Sequence, residues 1–142
     1  MKSKAPLALM EQLVMVLVFA LASAICIRAF VLSDQLSRRS EIRDRAVVAA
    51  ETAAEEWKAA GGDAAQAAKT AGGAADGAVW TVCYDKDWEQ ASGCGADAPY
   101  TVTVQSRQGG PAGLRQADVS VADGSGTVLF SLTAACQAEA AS

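Results

Sequence analysis

The chain has 142 residues, room for one domain plus an anchor. Hydrophobic residues make up 51%, but 32 residues are Ala, so any core rests on a few Val, Leu, Ile, Trp, Phe and Tyr. Histidine is absent and the net charge is -4. The first fact excludes Ser-His-Asp and Cys-His nucleophile systems, a His general base and most catalytic zinc sites. The second argues against nucleic acid as a partner. The expectation is a membrane-anchored or exported structural protein that is not an enzyme and carries no cofactor.

Residues 1–6 form a short basic leader with Lys2 and Lys4. Residues 7–32 read as a transmembrane helix: LALMEQLVMVLVFALASAICI from Leu7 to Ile27, one ionisable group (Glu11), then Arg28 and the apolar Phe30, Val31 and Leu32. About 20 apolar residues are needed to cross a bilayer, and Arg28 can snorkel to the headgroups. A retained anchor is one reading. A secretory signal is another, with Ala22-Ser23-Ala24 as the small-x-small site and release after Ala24. Glu11 suggests a third, because a carboxylate inside an apolar segment is costly and usually has a partner.

The stretch from Leu7 through Glu11 to Ala24 resembles the N-terminal helix of type IV pilins and type II secretion pseudopilins. In that family a leader peptidase cuts after a small residue, and the fifth residue of the mature chain is a Glu that pairs with the N-terminal amine of a neighbouring subunit. On this chain that Glu is Glu11, with candidate cuts after Ala5, which makes Glu11 the sixth residue, or after Pro6, which makes it the fifth. The resemblance implies a pilin-like structural subunit that assembles through its N-terminal helix. It would be a minor component of a bacterial pilus, type II secretion-like system or uptake apparatus. Its partners would be the membrane and other pilin-like subunits. It implies a single pass through the inner (cytoplasmic) membrane with the C-terminal head outside, at the cell surface if the filament extends that far. The alternatives are a membrane-anchored extracytoplasmic binding module and a secreted domain.

Residues 33–60 continue the span as an amphipathic helix. Leu32, Leu36, Ile42, Ala46, Ala49, Ala50, Ala53 and Trp57 recur mostly at steps of three and four. No Pro or Gly occurs between Leu7 and Ala60, so one helix of roughly 80 Å is predicted, ended by Gly61-Gly62. The Ala stripe suits close packing on a sheet, with Trp57 as the large anchor. Arg38, Arg39, Arg43 and Arg45 read as a solvated face paired with Glu41 and Asp44. These arginines also favour a cytoplasmic C-terminus by the positive-inside rule. The signal-like start, the cysteine pattern and an acidic, strand-rich head favour the outside, and export is the reading taken.

Residues 61–78 read as an Ala/Gly linker with a short helix capped by Asp63 and ended by Gly72-Gly73. Residues 79–142 read as an antiparallel β head. Trp80, Val82 and Tyr84 alternate with Val79, Thr81 and Cys83; Asp85-Lys86-Asp87 is a turn and Trp88-Glu89-Gln90 the return strand. Further strands are marked by Tyr100, Val102 and Val104, by Ala117, Val119 and Val121, and by Val128, Phe130 and Leu132. The last two flank the turn Asp123-Gly124-Ser125-Gly126. The expected fold is α+β: a long N-terminal helix packed on four or five antiparallel strands.

Cys83 and Cys94 bracket the first hairpin and are the expected disulfide, leaving Cys136 unpaired and Cys26 as a small apolar residue in the span. No zinc site is expected without His or paired Cys-x-x-Cys. Asp85, Asp87 and Glu89 offer alternate carboxylates that calcium would use. No EF-hand spacing follows, and a plain turn is the simpler reading.

Overall fold

The computed structural model describes residues 4–107 and 113–137. The fold is α+β, in the element order α1 (Ala5–Ala59), α2 (Ala64–Ala71), β1 (Ala74–Asp76), β2 (Val79–Tyr84), β3 (Tyr100–Arg107), β4 (Leu114–Asp123) and β5 (Val128–Gln137). The chain divides between Glu41 and Ile42 into two compact units.

α1 is 55 residues long. Pro6 sits in its first turn, where a missing N–H costs nothing. The helix stops at a double glycine. Gly61 and Gly62 take left-handed φ values of 68° and 78°, and their amides return to the carbonyls of Lys58 and Trp57, each at 2.9 Å. α2 follows at once because Asp63 Oδ1 accepts the amides of Ala65 at 2.8 Å and Gln66 at 3.0 Å.

The five strands form one antiparallel sheet in the order β1-β2-β3-β4-β5. Val82 pairs with Val102 and Val102 with Val121, while Val104 lies between Trp80 and Val119. Each of these residues points to the same face because side chains alternate along a strand. Trp57, Trp80, Val102, Val104, Val119 and Val121 are the largest fully buried side chains. Ala46, Ala49, Ala50, Ala53 and Ala54 of α1 belong to the same core. In the second unit the C-terminal part of α1 thus packs on the sheet through methyl groups and one large ring. No polar or charged residue is buried among the described residues.

Two expectations need correction. The Ala/Gly segment 61–78 contains a strand as well as a helix: β1 pairs Ala74 with Thr81 and Asp76 with Val79. Gly72 and Gly73, at φ 83° and 86°, turn the chain back along β2. At Gly73 a Cβ would meet the Thr81 carbonyl at 2.4 Å, so the close approach requires glycine. The second correction is the return strand Trp88-Glu89-Gln90, which is reduced to a single bridge between Tyr84 and Gln90. Asp85 Oδ1 accepts the amides of Asp87 and Glu89 at 2.8 and 2.9 Å, which curls the chain before a ladder can start. Trp88 then takes φ 64° and stacks on Tyr100 with ring centroids 4.1 Å apart.

Candidate functional site: the surface of the N-terminal helix

In the first unit, α1 carries its large apolar side chains outward. Leu13 is 66% exposed, Phe19 76% and Ile25 69%. The helix is long and apolar enough to cross a membrane by length and composition. Its one interior hydroxyl near the middle is satisfied within the helix, Ser23 Oγ donating to the Phe19 carbonyl at 2.9 Å. Ala22, Ser23 and Ala24 lie in unbroken helix. Ala5 and Pro6 are its first two residues; the leader residues 1–3, including Lys2, lie outside the described residues.

Glu11 is exposed on this helix and makes no ion pair among the described residues. Further along, Asp34 and Arg38 pair at 3.0 Å, and Glu55 accepts from the Lys58 ammonium at 2.8 Å. Arg28, Arg39, Asp44 and Glu51 are exposed and make no ion pair among the described residues. A shallow depression on the helix is lined by Ile27, Arg28, Val31, Leu32 and Gln35.

The second unit holds the remaining candidates. Trp57 is fully buried and its Nε1 donates to Ser106 Oγ at 3.1 Å. Cys83 and Cys94 are joined by a disulfide with their Cα atoms 5.3 Å apart; Cys26 and Cys136 are free thiols. Asp85, Asp87 and Glu89 share a turn in which the Asp85 carboxylate already serves two backbone amides. Among the described residues no three His, Cys, Asp or Glu side chains converge as a metal site. Burial pushes the Glu56 carboxyl above its ordinary value. Tyr84 is raised by burial first and by the Glu56 carboxylate second. Asp123, in the β4–β5 turn, is lowered chiefly by the Ser125 hydroxyl and then by the Thr127 amide.

No protein-family model, curated protein or solved structure matches this chain. The site is therefore read from its own residues. Two partners escaped the sequence. Ser106 is matched to Trp57 only through the β3 alternation that puts it on the helix side. Tyr100 is matched to Trp88 only through a positive φ that no local pattern announces.

Proposed function

We propose that this chain is a pilin-like structural subunit, a minor component of a pilus, type II secretion-like or uptake apparatus, and that it has no catalytic role. The observation that carries the reading is a 55-residue helix whose first half is apolar and exposed and whose second half is packed on an antiparallel sheet. That is the general pilin-like architecture, and the family resemblance makes Glu11 the intersubunit partner. In this reading the apolar half is held in the inner membrane before assembly and among other helices after it. The head lies on the extracytoplasmic side, where the Cys83–Cys94 disulfide would be stable.

The mechanism is association through the helix. A carboxylate at the centre of a span costs roughly 2.5–3.5 kcal/mol and less near its end. Glu11 recovers that cost by accepting an ion pair from the N-terminal amine of an adjacent subunit. Glu11→Gln should therefore leave membrane insertion intact, or improve it, and reduce co-purification with other pilin-like subunits. Equal co-purification of wild type and variant with every partner would remove the reading. Intact mass of the membrane form gives the companion measurement: loss of five or six residues, or none, fits a retained anchor. A chain beginning at Ile25 would make it a secreted domain instead.

A further inference from the structure

Of the arginines in the first unit, Arg28 is the one set inside apolar sequence. The positions one helical turn from it are Ala24, Ile25, Val31 and Leu32, so the helix offers it no carboxylate at the spacing where side chains meet. The next carboxylate along the chain is Asp34, six positions on and on another side of the helix, and it already accepts from Arg38 at 3.0 Å. Arg39 lies in the polar stretch beyond, where water answers its charge.

The apolar run continues past Arg28 as far as Leu32, four residues or about 6 Å along the axis. Side chains on a helix tilt toward its N-terminus, here away from the nearer end of that run. Arg28 therefore reaches the interface only by extending against the tilt. A charge held at this depth is costly unless an anion comes to it.

The place for the anion has a shape. The shallow depression at Arg28 is lined also by Ile27, Val31, Leu32 and Gln35, all of them exposed. Arg28 is its one charge, and a guanidinium fork fits two oxygens of a phosphate. Gln35 lies about 10 Å further along the axis and within about 20° of Arg28 around it, with an amide that both gives and accepts hydrogen bonds. We propose that this depression holds the headgroup of a phospholipid of net negative charge. The phosphate sits on Arg28, headgroup hydroxyls meet Gln35, and the acyl chains follow the apolar helix on the N-terminal side of Ile27. The proposal rests on the reading that the apolar half of α1 is held in a membrane, and it uses residues of the first unit alone. The lipid's net charge follows from the lining: none of the five residues is acidic, so nothing there receives the ammonium of a zwitterionic headgroup. A carboxylate from a neighbouring helix is the rival occupant. It would carry its own cost at that depth, whereas a lipid phosphate already lies at the interface.

The test is native mass spectrometry of the full chain released from detergent micelles, titrated with phosphatidylglycerol or with phosphatidylcholine of the same acyl chains. The wild type should retain one phosphatidylglycerol about fivefold more tightly than phosphatidylcholine, the size expected of one basic residue facing an anionic lipid. Arg28→Gln should erase that preference and Arg39→Gln should leave it whole. Both substitutions are at exposed positions, and the retained Cys83–Cys94 bridge reports that the head is folded. Equal retention of the two lipids by the wild type, or a preference that survives Arg28→Gln, would overturn the site. An equal loss in Arg39→Gln would overturn it too, by tracing the preference to diffuse charge. Displacement of the lipid by glycerol phosphate would assign the depression to a soluble phosphate instead. Washing membranes with alkaline carbonate separates this inference from the reading beneath it. A chain that is stripped off has no span, whereas a chain that stays and shows no lipid preference lacks only the lipid site.

Discussion

Replacing Trp57 tests how the helix is held to the sheet. The ring is fully buried, and its Nε1 reaches Ser106 Oγ at 3.1 Å. Burying a Trp removes roughly 150–250 Å² from water. At about 25 cal/mol/Å² this is an upper bound of roughly 4–6 kcal/mol. Partial collapse of the site lowers the expected cost of Trp57→Ala to about 3–5 kcal/mol. Trp57→Phe keeps most of the area and frees the half-buried Ser106 hydroxyl to water, a loss of about 1 kcal/mol. Ser106→Ala is the harsher of the two single-bond changes, about 1–3 kcal/mol, because it leaves a buried N–H without an acceptor. The double variant Trp57→Phe/Ser106→Ala should cost less than the sum, since each change removes the other's unmet partner. Equilibrium urea unfolding of the detergent-solubilised chain, followed by Trp80 and Trp88 fluorescence, measures all four. A Trp57→Ala cost within about 0.5 kcal/mol, typical of surface sites, would refute docking through this ring. Strict additivity would refute the hydrogen bond.

The Cys83–Cys94 bridge closes a short loop, and Cys83→Ser/Cys94→Ser should cost roughly 2–3 kcal/mol in the same assay. Peptide mapping of native material without reductant should recover that bridge, with Cys136 open to alkylation; both bridge thiols found free would place the head in a reducing compartment. Glu56 carries a raised carboxyl, so the folded state binds its proton more tightly than the unfolded chain does. Wild-type stability therefore falls as pH rises from about 4.5 through the raised folded value. Glu56→Gln should raise the Tm at pH 7, and the gain should vanish by pH 4; an equal gain at both would refute burial as the cause.

The fold class was legible because its main signals are local and strong. Between Leu7 and Ala60 nothing interrupts helix formation, the Ala46-to-Trp57 spacing marks one face, and the Val/Thr alternation from Val79 onward has the period of a strand. β1 was illegible for the opposite reason: Ala74-Ala75-Asp76 has poor strand propensity and is extended only because Gly72 and Gly73 bring it alongside β2. The return strand failed where side-chain chemistry competes with the backbone. Asp85 ties two amides, and stacking on Tyr100 holds Trp88 in a left-handed conformation that is strained for a bulky residue. On the helix, Glu11 stands out in sequence because it interrupts an apolar run.

The Ala face of α1 leaves one degree of freedom weakly specified. Advancing the helix by four residues, about 6 Å, carries Ala46 onto the place of Ala50 and Ala49 and Ala50 onto those of Ala53 and Ala54. A methyl replaces a methyl at each step, so these contacts barely distinguish one axial position from the next. Trp57 ends that near-translational symmetry. Its ring occupies a single site in the core, and its N–H meets a single hydroxyl on β3. The helix is thus a smooth rail fixed by one pin. Enlarging an alanine would lift the rail, whereas losing the indole would let it slide.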